Sequence, residues 1–180
     1  MIQCKDGHDN ALMGLFLFRF QYIALVDLAI LLTFGPLTVF FSFVTQCGDF
    51  AVFPLIYALP LASLAEAILH SNNARDAASD NDAGIVTLAI LVGETGAYFV
   101  FAGLVFAPYL TFFALGCRYS PWLWFPLVSL PKAFEVEKKF KDRQMKGIPQ
   151  MTAKLTFFCG LLYVLSIIMC ETKQLPGIAS

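Results

Sequence analysis

Long apolar stretches dominate the sequence and limit the folds that are open to it. A helix needs about 20 mostly apolar residues to cross the hydrocarbon core of a bilayer, which is about 30 Å thick. Five stretches approach this length: residues 22–44, 50–69, 95–116, 121–134 and 152–170. The fourth is short unless it tilts or extends. The sequence therefore predicts an all-α, polytopic transmembrane helix bundle of about five spans.

The composition agrees with lipid as the main solvent of this chain. Hydrophobic residues make up 58% of the chain and charged residues 14%, whereas soluble proteins carry roughly 25% charged residues. The mean hydropathy is +0.71. The formal net charge of -1 offers no basic surface for nucleic acid. We therefore expect the lipid bilayer as a partner and no nucleic acid.

The basic residues are concentrated in one connection and predict its orientation. Residues 132–154 contain Lys132, Lys138, Lys139, Lys141, Arg143, Lys146 and Lys154, while the other connections hold one basic residue or none. By the positive-inside rule this connection faces the cytoplasm. Two predicted spans separate it from the polar connection at residues 70–84. Both polar connections are therefore predicted to lie on the cytoplasmic side.

The polar connection at residues 70–84 holds most of the side chains suited to chemistry. If the helix continues past Leu69, Asn72, Asp76 and Asp80 are spaced by four residues and project from one face. Two carboxylates and an amide suit a hard divalent cation that also binds substrate phosphates, as Mg²⁺ usually does. The sequence thus predicts Asn72, Asp76 and Asp80 as metal ligands, with Arg75 neutralising phosphate charge.

A plain alternative explains the same segment as a solvated loop whose acids keep it out of lipid. Three features favour a site: the four-residue spacing, Glu66 inside an apolar stretch, and Gly84 at the end of the polar segment. Glu66 itself fits a hydrogen-bonded structural acid equally well. A single histidine such as His70 is more often structural than catalytic. No EF-hand, Walker loop or serine nucleophile motif is present.

The same segment resembles a known motif. Residues 69–76 (LHSNNARD), Asp80 and residues 83–89 (AGIVTLA) resemble the second aspartate-rich motif of the UbiA superfamily of prenyltransferases. The similarity extends to residues 34–36 (FGP), to residues 131–134 (PKAF) and to residues 149–155. It covers roughly residue 22 to the C-terminus. We therefore predict a non-family segment at residues 1–21 and the C-terminal half of a UbiA-type domain at residues 22–180.

The resemblance implies an activity and roles for particular residues. It implies an all-helical membrane enzyme that joins an isoprenoid diphosphate of geranylgeranyl type to an aromatic naphthoquinone-type acceptor in menaquinone (vitamin K2) biosynthesis. Two aspartate-rich motifs on facing helices hold Mg²⁺ against the diphosphate. The resemblance assigns Asp76 and Asp80 to catalysis and Asn72, Asn73 and Arg75 to the diphosphate side. It also implies a location in the endoplasmic reticulum or Golgi.

The sequence departs from the family pattern in its N-terminal part. Family members have about nine spans and carry a first aspartate-rich motif, whereas here no similar cluster precedes Asp76. Asp6 and Asn10 share the spacing but not the surroundings, and Val26 stands where the family suggests glycine. Two alternatives therefore remain beside a prenyltransferase. One is a non-catalytic membrane partner that binds a full-length homologue or lipid, and the other is a small transporter. A homo-oligomer or a complex with a full-length homologue is the expected protein partnership.

Overall fold

Helices are the only regular elements in the part of the chain that the structure describes. The structure is a computed structural model, and it describes residues 29–171 and residue 175. The α-helices in chain order are α1 (Ala29–Cys47), α2 (Pro54–Asp82), α3 (Leu88–Arg118), α4 (Leu130–Lys141) and α5 (Ile148–Met169). A 3-10 helix, Pro121–Ser129, precedes α4. The all-α prediction is therefore confirmed.

Four of these helices, α1, α2, α3 and α5, are long and apolar enough to cross a membrane. Their positions match four of the five predicted spans, although α2 and α3 extend well beyond the predicted limits. The start of the first predicted span, the segment 1–21 and its boundary at residue 22 lie outside the described residues. The chain is thus an integral membrane helix bundle.

The structure differs from the prediction at residues 121–134, which were predicted to form the fourth span. This stretch is not a continuous α-helix, because a 3-10 helix changes into α4 at Leu130. Pro121 and Pro126 lack the amide hydrogen that an α-helical ladder needs. At about 2.0 Å per 3-10 residue and about 1.5 Å per α-helical residue, the two elements together reach about 36 Å. The 3-10 helix and α4 together therefore run the distance for which one short span was predicted.

This composite segment runs antiparallel to α3 over most of its length. Trp124 donates from Nε1 to the carbonyl of Phe113 at 3.2 Å near one end, and Arg143 pairs with Glu94 at the other. Between them, the contacts are Tyr109 with Ser129, Phe106 with Phe134, Phe101 with Phe140 and Tyr98 with Glu137. The segment therefore returns the chain to the end of the bundle where α3 begins.

The crossing of α1 and α2 depends on a glycine. A Cβ placed on Gly35 would overlap the Cβ of Ala62, which is buried in α2. Gly35 lies in a π-helical turn, Thr33–Leu37, beside Pro36. The hydroxyl of Thr38 donates to the carbonyl of Thr33 within this turn, which satisfies a backbone acceptor inside the apolar stretch. The close approach of the two backbones thus requires glycine at position 35.

The core lies between α2, α3, α4 and α5. Its fully buried members include Leu64 of α2, Phe101 and Phe112 of α3, and Leu155 of α5. Phe101 stacks on Phe140 of α4 with ring centroids 4.1 Å apart. These contacts fix how α2 sits against α3, and so they position the polar end of α2.

Both polar connections lie at one end of the bundle, which we call the motif end. It comprises residues 70–95 and 137–150, and the ion pair between Glu94 and Arg143 joins the two parts. The predicted common face of the two connections is therefore present in the fold. The opposite end contains residues 47–54 and 117–121. That the motif end faces the cytoplasm stays a prediction.

Candidate functional site

The polar segment continues the helix of the preceding apolar stretch without a break. α2 runs past Leu69 to Asp82, so its last 13 residues extend about 20 Å beyond the apolar part. Gly84 ends the helix in a left-handed conformation with φ of 72°. The amide of Ile85 then donates to the carbonyl of Asp80 at 2.8 Å, which is the closing bond of a Schellman motif. The predicted helical spacing of Asn72, Asp76 and Asp80 is thus present.

Arg75 brings two of the predicted metal ligands together. Its Nε and Nη2 donate to the two carboxylate oxygens of Asp76, both at 2.7 Å, and Nη2 also donates to Oδ1 of Asn72 at 2.8 Å. The guanidinium plane matches a carboxylate in this two-bond geometry. All three side chains are partly buried. Asn72, Arg75 and Asp76 therefore form one hydrogen-bonded cluster.

Asp80 and Asn73 stand apart from this cluster. Asp80 lies one further turn along the same face, about 6 Å along the helix axis from Asp76. Its carboxylate makes no ion pair with any residue in the described part of the chain. Asn73 is rotated by about 100° from Asn72 around the helix. The structure thus gathers part of the predicted set and leaves Asp80 accessible beside it.

Two buried polar residues lie on α2 within the two turns that precede the cluster. His70 is 1% exposed, and its Nε2 is 2.9 Å from the carbonyl oxygen of Ala97 in α3. Glu66 is also buried, at 5% exposed, one turn earlier. The contact of His70 ties the motif end of α2 to α3. His70 therefore has the structural role that its isolation in the sequence suggested.

A cavity of about 490 Å³ adjoins the motif end of α2. Ala74, Arg75 and Ala78 of α2 line one wall, and residues of α3, of the end of α4 and of the segment after α4 line the others. Asn72, Asp76 and Asp80 do not line it, because they occupy the opposite side of the helix. Among the predicted site residues, only Arg75 belongs to the cluster and also lines the cavity. The cavity therefore lies beside the cluster and not beneath its carboxylates.

Sequence reasoning gave no role to several polar residues around this cavity. Glu94, Tyr98 and Arg143 line it, and the hydroxyl of Tyr98 donates to Oε1 of Glu137 at 2.6 Å. Glu94 and Tyr98 are spaced by four residues in an otherwise apolar stretch, a signal comparable to that of Glu66. Their partners lie far away in the sequence, so only the fold reveals the pairs.

The oxygen donors of Asn72, Asp76 and Asp80 suit a metal ion that is bound together with a phosphate. They suit a metal ion bound by the protein alone less well. Among the described residues, no group of three histidine, cysteine, aspartate or glutamate side chains is placed to hold a metal ion. Asp76, Asp80 and Asn72 supply two carboxylates and one amide from a single helix. Mg²⁺ typically uses one or two carboxylates together with water and substrate phosphates. This donor set therefore suits one wall of a magnesium diphosphate site.

Comparison with known proteins decides the family. A model described as the UbiA prenyltransferase family matches residues 11–162. This chain belongs to the UbiA prenyltransferase family. It is 50% identical over 171 residues to UbiA prenyltransferase domain-containing protein 1 of Mus musculus, covering 93% of this chain and 51% of that protein. The predicted family resemblance is confirmed.

Two further relatives show the same pattern of coverage. The Homo sapiens protein of the same name is 49% identical over 173 residues, which cover 94% of this chain and 51% of the relative. The Drosophila melanogaster homolog is 53% identical over 158 residues, which cover 87% and 44% respectively. This UbiA family chain thus spans about half the length of the relatives it matches. The roles assigned to Asn72, Asn73, Arg75, Asp76 and Asp80 stay predictions.

Proposed function

We propose that this chain provides the second metal–diphosphate motif of a prenyltransferase. The enzyme transfers a geranylgeranyl-type group from its diphosphate to an aromatic naphthoquinone-type acceptor in menaquinone (vitamin K2) biosynthesis. Family membership supports this proposal, as does the word prenyltransferase in the names of the relatives. The observation that carries it is the cluster of Asn72, Arg75 and Asp76 at the polar end of an otherwise apolar helix.

The proposed reaction exchanges one bond for another at the allylic carbon of the donor. The bond from this carbon to the diphosphate oxygen breaks, and the diphosphate leaves with the bonding electron pair. A carbon of the electron-rich ring then bonds to the allylic carbon, and the ring loses a proton to solvent. Bound Mg²⁺ would be held by Asn72, Asp76 and Asp80 and would neutralise charge on the diphosphate.

The residues of this chain have separate tasks in that scheme. Arg75 is held by Asp76 and Asn72, so its positive charge is fixed beside the proposed metal ligands before a diphosphate arrives, which reduces the entropy lost on binding. The apolar interior, with Phe101 and Phe112 fully buried, keeps water from the positively charged allylic carbon. Exclusion of water prevents hydrolysis of the donor in place of transfer to the ring.

The location and partners follow from the same proposal. The enzyme would act in the endoplasmic reticulum or Golgi membrane, with the motif end on the cytoplasmic side. A charged diphosphate would then reach Asp76 from the aqueous phase, while its isoprenoid chain enters from lipid. The long apolar helices of the bundle suit such a division.

A transfer assay with matched variants tests the proposal. Membranes containing the full chain receive radiolabelled geranylgeranyl diphosphate, a reduced naphthoquinone and Mg²⁺. Asp76→Asn and Asp80→Asn are expected to lower the transfer rate by about 100-fold or more, because each removes a carboxylate that would hold the Mg²⁺ that neutralises the diphosphate. Asp82→Asn is the control, since Asp82 is exposed at the end of the same helix. Equal rates in all three variants would refute the assigned role.

The alternative is a non-catalytic partner that binds a full-length homologue. One observation favours it: the described residues provide no complete set of acidic metal ligands. It predicts no transfer by the isolated chain and co-purification with a full-length homologue from the same membranes. An active chain that runs as a monodisperse monomer would exclude it.

A further inference from the structure

Lys141 and Arg143, two cationic residues that line the cavity beside Arg75, have no task in the proposed reaction. We propose that this cavity binds the phosphate group of an anionic phospholipid, without a metal ion, at a site separate from the carboxylates of α2. We call the lining residues Arg75, Lys141, Arg143 and Phe99 the lipid pocket. This inference goes beyond the prenyl transfer proposed above.

The lining of the whole cavity contains more cationic than anionic side chains. Arg75, Lys141 and Arg143 line the cavity together with one acid, Glu94. Arg143 pairs with Glu94, while Lys141 has no ion partner in the described part of the chain. The charge of the lining is therefore positive, which favours an anion.

The donors of Arg75 are oriented and only partly used. Its Nε and Nη2 bond to Asp76 and Asn72, whereas Nη1 makes no hydrogen bond to the residues described in the structure. Arginine has five donors in a rigid plane that suits phosphate oxygens. Asp76 and Asn72 thus fix the plane and leave two donors for a ligand of the cavity.

The cavity has an apolar side where a lipid chain fits. Phe99 of α3 lines it and is 67% exposed, although it lies in a membrane-spanning helix. The buried ring of Phe140 and the small side chains of Ala74 and Ala78 complete the apolar part of the lining. The cavity therefore joins a cationic patch at the motif end to a lipid-facing aromatic ring. Basic pockets between helix ends bind lipid head groups in this way.

The available charge favours a phospholipid over the prenyl donor. Two of the three cations are already paired with Asp76 and Glu94, which leaves about one unit of positive charge for a ligand. A phosphodiester carries about one negative charge, whereas an isoprenoid diphosphate carries more and is normally bound with a metal. Asn72 and Asp80 do not line the cavity. Binding there should thus be independent of Mg²⁺.

Native mass spectrometry of the full chain in detergent with EDTA measures this binding directly. The probes are dioleoyl phosphatidylglycerol, dioleoyl phosphatidylcholine, geranylgeranyl diphosphate and inorganic phosphate. We expect one phosphatidylglycerol to bind at least about tenfold more tightly than phosphatidylcholine, which has no net charge. Phosphate alone should bind too weakly to detect, because it lacks the chain that contacts Phe99.

Variants locate the bound lipid. Lys141→Gln combined with Arg143→Gln should weaken binding at least about tenfold, since two of the three cations that line the cavity are removed. The control pair is Lys138→Gln with Lys146→Gln, because both lysines are exposed and neither lines the cavity. Ala78→Leu fills the cavity without changing charge and should also prevent binding. The unfolding temperature of each variant is measured to check that the fold persists.

Four results would overturn the proposal. Equal weakening by the Lys141/Arg143 and the Lys138/Lys146 double variants would indicate general surface attraction. Loss of binding in Asp80→Asn, or a requirement for Mg²⁺, would place the lipid on the carboxylates. Tighter metal-free binding of geranylgeranyl diphosphate than of phosphatidylglycerol would make the cavity part of the donor site. These readouts contain no turnover, so they are independent of the proposed prenyl transfer.

Discussion

Arg75 and Asp76 are neighbours in sequence and form a two-bond ion pair, with both N–O distances at 2.7 Å. Adjacent residues of a helix point about 100° apart and do not normally face each other. The long arginine side chain overcomes this angle and also reaches Asn72. As a result, the cation that was predicted to serve a phosphate is held in place by the proposed metal ligands.

Replacement of Arg75 tests whether this arginine serves the prenyl donor. Arg75→Gln should raise the KM for geranylgeranyl diphosphate about tenfold or more, because glutamine cannot supply a charged planar donor. Arg118→Gln is the matched control, since Arg118 is exposed at the opposite end of α3. Steady-state transfer rates at varied donor concentration give the KM. A KM that changes equally in both variants would contradict the assignment.

Gly35 is expected to be essential for the crossing of α1 and α2. Gly35→Val places methyl groups where Ala62 now lies, and overpacking of this kind costs about 1–3 kcal/mol. The unfolding temperature in detergent should fall by several degrees. Gly103→Val should leave it nearly unchanged, because a Cβ at Gly103 meets nothing within 4 Å. A similar loss in both variants would show that the contact with Ala62 is unimportant.

Gly116 is expected to hold Trp124 in place at the end opposite the motif. The ring of Trp124 occupies the space that a Cβ on Gly116 would need, so Gly116→Val should displace it and break its bond to the carbonyl of Phe113. The chain has two tryptophans, so the change is made in a Trp122→Phe background. Tryptophan emission reports the displacement. Identical spectra before and after the change would contradict this packing.

The two ends of the bundle should be separated by the membrane. Cys47 and Cys117 are free and exposed at the end opposite the motif, and Ser79 is exposed at the motif end. In a Cys4→Ser background, Ser79→Cys should react with an impermeant maleimide applied from the cytoplasmic side of sealed vesicles. Cys47 and Cys117 should react only after permeabilisation. Labelling of all three from the same side would exclude the proposed orientation.

Local patterns predicted the polar end of α2 well. The four-residue spacing of Asn72, Asp76 and Asp80 needs only that the helix continue past Leu69, and Gly84 is a strong helix-ending signal. Both features depend on nearby residues alone. The helical spacing was therefore a conditional prediction that the fold meets, and the helix ends beside Gly84, which also ends the polar segment.

Features that depend on distant contacts were not predictable in this way. The apolar composition of Pro121–Ser129 suits a 3-10 helix and a short α-helix equally well, so composition could not decide between them. The contact of Trp124 with Gly116 is visible only in the fold. The pair of Glu94 and Arg143 also joins separate elements. The cavity also depends on distant contacts, because the packing of α2 against α3 places it on the side of the helix opposite Asn72, Asp76 and Asp80.

Retention of Mn²⁺ tests the central claim most directly. The full chain in detergent is passed through a desalting column with Mn²⁺, with and without geranylgeranyl diphosphate, and the metal that elutes with the protein is measured by electron paramagnetic resonance. We predict retention of Mn²⁺ with wild type only when the diphosphate is present, and no retention with Asp76→Asn or Asp80→Asn. Equal retention by wild type and both variants would contradict the assignment of these carboxylates to the metal.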